Sequence, residues 1–359
     1  MSDMSFFQSV TPDLFADLGL LLLSAWIATL GLGILLGRLP WFRLPVPRLE
    51  IGRIATAHPR YFRLGGVTIA FGLIVAFGLD ARLVWDNALM TLVVGASLAF
   101  ALGLIDDVWP LHWCLQLLGQ IALGLLLVQA GMVIATLHLG GGWMLDLRAW
   151  SIPGLPLLAT VFWVVLVMNA INWIDGADGL MGSVLVVACL ALCILSFKPE
   201  VNQPAFAIIM SMLIGALIGF LFLNWSPARL VAGTSGTALL GFLIAALSVY
   251  AGTKVATALL VLVIPILDLF AVILTRLRLG HSLFLPGQEH LHHILLRLGF
   301  SSRSIALIYG GVTGLLAVLA LSLELWAKIW VLVVVGSLFF GMLGWMQWIL
   351  TQQLKTKGE

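Results

Sequence analysis

The sequence predicts an all-α polytopic membrane protein, and three observations carry that prediction. Of the 359 residues, 62% are hydrophobic and only 9% are charged, with a mean hydropathy of +1.13. Soluble domains carry roughly 25% charged residues, so this chain lacks the polar surface to coat a globule. The apolar residues fall in long runs poor in charge, which in lipid means helices that satisfy their own backbone rather than barrel strands. Finally, lysine and arginine gather in alternate connections, as the positive-inside bias requires. A net charge of +2, with no basic run, excludes nucleic acid as a partner.

The runs lie at 18–37, 64–79, 87–105, 113–136, 155–173, 180–197, 204–223, 235–253, 255–274, 304–323 and 329–350. They predict about eleven crossings. Ten is the alternative count, because the second run is short and rich in glycine and the ninth holds Asp268. Eleven crossings starting outside put Arg38, Arg43, Arg48, Arg53, Arg60, Arg63, Arg229, Arg276, Arg278, Arg297, Arg303, Lys355 and Lys357 inside. Arg82, Arg148, Lys198, Lys254 and Lys328 then lie outside. The N-terminus is therefore expected outside and the C-terminus in the cytoplasm. Asp3, Asp13 and Asp17 replace the basic region of a cleavable signal, so the first run is expected to be retained. Cys114, Cys189 and Cys193 read as reduced thiols in apolar surroundings. The stretch 137–154 reads as an interfacial turn or hairpin. No internal repeat divides the chain, so residues 1–359 are read as one domain.

This topology gathers three polar clusters at the inner face, where ionisable groups are costly and mark function. Gly103-Leu-Ile-Asp106-Asp107 ends the third run. Its paired carboxylates repel and invite a divalent cation such as Mg²⁺, or they simply mark a solvated helix end. Asn169-Ala-Ile-Asn172-Trp-Ile-Asp175-Gly-Ala-Asp178-Gly-Leu180 follows the fifth run. Its threefold spacing stacks Asn172, Asp175 and Asp178 on one face if the turn stays helical, whereas an Asp N-cap accounts for only one of them. Glu289-His290-Leu-His292-His293 crowds three histidines into a late inner connection, fit for metal, proton transfer or phosphate, and lacks the spacing of a zinc protease helix.

On these residues the chain resembles the polyprenyl-phosphate N-acetylhexosamine-1-phosphate transferases. Arg63-Leu-Gly65-Gly66 is similar to that family's Pro-Arg-x-Gly-Gly motif. The Asp106–Asp107 pair, the run Asn169 to Leu180, Phe222-Leu-Asn224-Trp-Ser-Pro227-Ala228, Pro265-Ile-Leu-Asp268 and His290-Leu-His292-His293 resemble its other motifs. The histidine motif is closer to the GlcNAc-type branch. The resemblance implies transfer of a sugar-1-phosphate from a UDP-N-acetylhexosamine to undecaprenyl phosphate, with release of UMP. It also implies Mg²⁺, with Mn²⁺ as substitute, and a bacterial inner-membrane enzyme working at the cytoplasmic face, with room for a homodimer. Asp106, Asp107, Asp175 and Asp178 would be catalytic. Asn169, Asn172, Asp268, His290, His292, His293, Arg63 and Arg276 would bind substrate. Asp106, Asp107 and Asn172 would hold metal.

Three departures stand out. Val231-Ala-Gly233-Thr234-Ser-Gly236-Thr237 carries Thr234 where the family has a metal-binding Asp, and a hydroxyl can touch Mg²⁺ but brings no charge. Gln116 replaces a Lys, and Gly287-Gln288 replace Asp-Arg. These changes are either mutually compensating or the mark of a degenerate relative that binds lipid phosphate or a partner without turnover. A transporter is the remaining class, disfavoured because only Asp268 lies deep and no matched pair of broken spans exists.

Overall fold

The computed structural model describes residues 12–38, 63–140, 143–150, 152–199, 201–250, 254–282, 287 and 289–357. Among these the helices are α1 (Pro12–Arg38), α2 (Gly65–Leu79), α3 (Asn87–Val108), α4 (Trp113–Gln129), α5 (Leu155–Ile174), α6 (Leu180–Ser196), α7 (Pro204–Asn224), α8 (Gly233–Tyr250), α9 (Lys254–Val261), α10 (Val263–Leu279), α11 (Leu291–Arg297), α12 (Ser302–Ser322) and α13 (Leu325–Lys357). One antiparallel hairpin, β1 (Thr136–Gly140) with β2 (Trp143–Asp146), interrupts the series where a hairpin or turn is expected.

Each apolar run of the sequence overlaps a helix, or the broken pair α9–α10, although the run 113–136 is helical only to Gln129 and ends at β1. Among the described residues seven helices are long and apolar enough to cross a membrane, and the bent pair makes an eighth candidate. The helices α2, α4 and α6 are apolar but shorter, at 15, 17 and 17 residues. At 1.5 Å per residue they reach about 22–26 Å, somewhat less than the hydrocarbon thickness. Arg43, Arg48, Arg53 and Arg60 lie outside the described residues.

The run 255–274 is not one straight helix, as its composition suggested, but breaks at Leu262 with a 71° bend. Pro265 is the physical reason. Its ring clashes with the carbonyl four residues earlier, that of Val261, whereas in the first turn of a new helix its missing N–H costs nothing. The bend turns α10 so that Asp268 comes to lie beside the histidine segment.

The centre of the bundle is α7 and α8, with 78% and 83% of their apolar windows enclosed, against 17% for α13 at the periphery. Around them α1 packs on α7 and α2, α3 and α5 pack on α8, α4 packs on α5, and α6 packs on α7 and α12. Lipid tails are as apolar as the side chains, so close backbone approach must hold such helices together, and small residues permit it. Gly215 and Gly219 on α7 form such a strip. A Cβ at Gly215 would lie 2.9 Å from the Leu22 carbonyl carbon, and one at Gly219 2.7 Å from the Trp26 oxygen, both on α1. Gly241 on α8 admits the Met168 backbone of α5 in the same way.

The end of the bundle away from the polar clusters is tied by scattered contacts. Arg82 pairs with Asp17, the Lys198 ammonium donates to the Leu321 carbonyl, and Lys328 Nζ donates to Thr257 Oγ1 at 3.0 Å. Gly215→Val should lower the thermal unfolding midpoint of the detergent-purified protein, the overpacking costing about 1–3 kcal/mol. Gly31→Ala, whose Cβ meets nothing within 4 Å, should leave the midpoint unchanged or slightly raised.

Candidate active site

The aspartate pair sits in the last turn of α3 and is bound to the start of α8. Asp107 Oδ1 accepts from the Thr234 amide at 2.8 Å. Its Oδ2 accepts from the Ser235 amide at 2.9 Å and the Ser235 hydroxyl at 2.6 Å. The first amides of a helix have no partner within it and favour negative charge, so Asp107 completes α8 from another helix. Asp106 Oδ1 accepts from the Leu111 amide and from Gln116 Nε2, both at 2.8 Å, and its Oδ2 accepts from the Thr234 hydroxyl at 2.7 Å. Such proximity demands glycine on both sides. Gly233 adopts φ +69° beneath the Asp107 carboxylate, and a Cβ at Gly103 would lie 2.6 Å from the Ser235 backbone. The Gly65 and Gly66 amides donate to Val231 and Ala232, at 2.9 and 2.8 Å. That docking brings exposed Arg63 to where its charge acts on Asp107.

The second cluster differs from the single helical face that its spacing suggested. Helix α5 ends at Ile174, Asp175 occupies its C-cap, and residues 175–179 turn before α6, with Gly179 at φ +76°. Two glycines three positions apart, Gly176 and Gly179, favour the turn over continued helix. Asn172 Oδ1 accepts from Thr237 Oγ1 on α8 at 2.8 Å, and Asp178 Oδ2 accepts from the Ala228 amide at 3.1 Å. The Gly179 amide donates to Asn224 Oδ1 at 2.9 Å, and Asn224 Nδ2 donates to Leu230 O at 2.8 Å. Asn169 stands one turn deeper. Both hydrogens of its amide are spent inside the bundle, on Gln120 Oε1 at 2.6 Å and Val165 O at 2.8 Å.

The histidine segment folds into α11 and closes the same end. His290 Nδ1 lies 3.0 Å from Asp268 Oδ2, and the Leu291 amide donates to Asp268 Oδ1 at 2.7 Å. A carboxylate at Nδ1 holds a proton there and leaves Nε2 as the acceptor face. Trp173, from the second cluster, meets the His290 ring edge-on with centroids 5.1 Å apart. The His292 and His293 rings lie with centroids 4.2 Å apart and tilted by 46°, and the His292 ring covers Gly176 so closely that a Cβ there would meet Cε1 at 2.8 Å. Arg276 is buried and pairs with Glu289 at 3.1 Å. A side chain at Gly287 would collide with both partners. The three clusters thus meet at one end of the bundle, with Thr234 and Thr237 on α8 linking the first to the second and Gly176–His292 and Trp173–His290 linking the second to the third.

The donors suit a hard cation only sparingly. Among the described residues no three His, Cys, Asp or Glu side chains form a ready metal cage. A carboxylate offers about four acceptor positions. Asp106 and Asp107 each accept three hydrogen bonds, so one position on each remains for an ion that keeps much of its water, as Mg²⁺ does. The residues therefore fit Mg²⁺ as a loosely held ion shared with substrate phosphates.

The glycosyl transferase family 4 profile matches residues 89–252, which hold the first two clusters and the α8 segment that joins them. The decaprenyl-phosphate N-acetylglucosaminephosphotransferase of Mycobacterium leprae is 32% identical, over 68% of this chain and 69% of its own. The chain belongs to the polyprenyl-phosphate N-acetylhexosamine-1-phosphate transferases. Within that family the Mycobacterium tuberculosis decaprenyl-phosphate N-acetylglucosaminephosphotransferase is also 32% identical, over 74% of each chain. The undecaprenyl-phosphate alpha-N-acetylglucosaminyl 1-phosphate transferase of Escherichia coli is 28% identical over 79% of this chain and 78% of its own.

Sequence reasoning singled out none of Ser235, Thr237 and Trp173 as parts of this candidate site, and it named Glu289 only as the start of the histidine run. The run of small hydroxyl residues at 234–237 was the available signal for the first two. Glu289 yields a pH prediction. Partial burial raises its carboxyl, but the hydrogen bond and charge of Arg276 outweigh that and hold it below its ordinary value of 4.5. A depressed value stabilises the fold above the ordinary value and loses that contribution as pH falls through the depressed one. The wild type should therefore unfold at a higher temperature than Glu289→Gln at pH 6, and the gap should close as the pH drops below 4.5.

Proposed function

We propose that this chain transfers N-acetylglucosamine-1-phosphate, or a related N-acetylhexosamine-1-phosphate, from a UDP-sugar to undecaprenyl phosphate. A lipid phosphate oxygen attacks the sugar-bearing phosphorus of the UDP-sugar, the bond to the nucleotide phosphate breaks, and UMP leaves as a new lipid pyrophosphate forms. The convergence of Asp106–Asp107, Asp175–Asp178 and the Asp268-backed histidines at one end of an apolar bundle carries this reading. A polyanionic soluble donor and a membrane-anchored acceptor can meet only at such an end.

In this proposal the helices cross eleven times from an outside N-terminus to a cytoplasmic C-terminus in the bacterial inner membrane. The reading is supported by the meeting of the ends of α3, α5 and α7 with the start of α8, as alternate crossings require. Arg63 holds phosphate oxygens, and His290, kept oriented by Asp268, accepts a hydrogen bond from a substrate hydroxyl through Nε2. Asn172 and Asp178 hold the donor. Asp107 fixes the start of α8, which keeps Thr234 against Asp106. Mg²⁺, held by the remaining acceptor positions of Asp106 and Asp107 with Asn172 near, would offset phosphate charge and polarise the pyrophosphate. The unbroken network around Thr234 favours a working site over a degenerate one.

Incubating the purified protein with UDP-GlcNAc, undecaprenyl phosphate and Mg²⁺ should release UMP, and chelation should stop it. Absence of UMP release with every UDP-N-acetylhexosamine would sink the proposal. Asp106→Asn should cut kcat by roughly 10²–10³, because an amide brings no charge to hold the cation that would offset phosphate charge.

A further inference from the structure

Two of the positions at which this chain departs from its family pattern, 116 and 234, lie 118 residues apart in sequence, yet they meet on one carboxylate. Gln116 Nε2, from α4, donates to Asp106 Oδ1, and the Thr234 hydroxyl, from α8, donates to Asp106 Oδ2. One position serves each oxygen. The Leu111 amide supplies the third bond, so every donor to Asp106 is neutral. Among the described residues no lysine or arginine pairs with it, and no hydrogen bond joins Gln116 to Thr234. Among the described residues Asp106 is the one hydrogen-bond partner they share.

We infer that Gln116 and Thr234 are coupled positioning residues, a charge-neutral clamp that fixes the plane of the Asp106 carboxylate from both sides. Donors on opposite oxygens, carried by separate helices, stop the carboxylate from rotating and determine which acceptor position stays open. The clamp also has an electrostatic logic. A carboxylate at 234 would stand against Asp106 at hydrogen-bond distance and would need a cation in compensation, either a lysine at 116 or a bound divalent ion. A hydroxyl at 234 removes that repulsion, and an amide at 116 then suffices where an ammonium would otherwise be called for. The two replacements are one change made in two places. The activity arm of the test rests on the proposed transfer; the stability arm does not.

The test is a double-substitution cycle on the full-length protein, using Thr234→Asp, Gln116→Lys and the pair, with thermal midpoints taken without substrate in EDTA and in Mg²⁺. Thr234→Asp should lower the midpoint in EDTA, and Mg²⁺ should restore part of the loss. In the Gln116→Lys background the same substitution should cost less than half as much. Distant sites with no shared partner add, so strictly additive midpoints would overturn the clamp. Should Thr234→Asp fail to fold, Thr234→Val and Gln116→Leu give a second cycle. Each removes one bond to Asp106, and Gln116→Leu also the longer one to the Leu111 carbonyl; the pair should lose less than the sum of the singles. In turnover, Thr234→Val should lower kcat about tenfold, roughly the worth of one hydrogen bond to a charged group. KM should move little, and Thr234→Ser should restore the rate. A merely structural role would instead leave Ser and Val alike. If no variant and no wild type releases UMP while the midpoints stay coupled, the transfer reading fails and the clamp stands.

Discussion

The bonds from Asp107 to the first amides of α8 are the constraint on which the rest of the site depends. Helix α8 begins packed between α3 and α5, with Gly233 and Thr234 half-buried and Ser235 buried. Leaving its first N–H groups without a partner there costs about 1–3 kcal/mol each. Asp107 answers with one carboxylate and three hydrogen bonds, and in doing so it fixes the end of α3 to the start of α8. Thr234 is thereby brought to Asp106 and Thr237 to Asn172. Glycines at 65, 66, 103 and 233 let four backbone segments crowd around that junction.

A second anchor works from the opposite wall. Pro265 breaks the helix before α10, and the resulting bend turns Asp268 toward α11, where it accepts from both the His290 ring and the Leu291 amide. The carboxylate is almost wholly buried and would be costly if unpaired. Its two partners resolve that cost and hold the histidine segment over Gly176. Proline, aspartate and histidine therefore act as one device spread over some thirty residues. The Arg276–Glu289 pair secures the approach to it, in space left free by Gly287.

Much of the site was legible in the sequence because membranes make polar residues conspicuous. In a chain with 9% charge, adjacent aspartates, an aspartate-glycine repeat and three histidines stand out, and the bundle brings them to one end. Less legible was how each group is used. The spacing of Asn172, Asp175 and Asp178 suggested one helical stripe, whereas Gly176 and Gly179 end the helix and send Asp178 toward Ala228. Asn169 belongs to the same motif, yet its amide is spent on Gln120. Local spacing cannot reveal a hydrogen-bond partner that arrives from another helix.

What the sequence by itself determined was the class: helices, because lipid tolerates no unpaired backbone; and the family, from motifs that survive at about a third identity. Tertiary structure alone decided that Gln116 and Thr234 share Asp106, that Asp107 is spent on a helix end, and that Asp268 faces a histidine rather than lipid. The physical reason is range. Hydropathy acts residue by residue and is written along the chain, while the bonds that orient a carboxylate act over about 3 Å between residues that only packing makes neighbours.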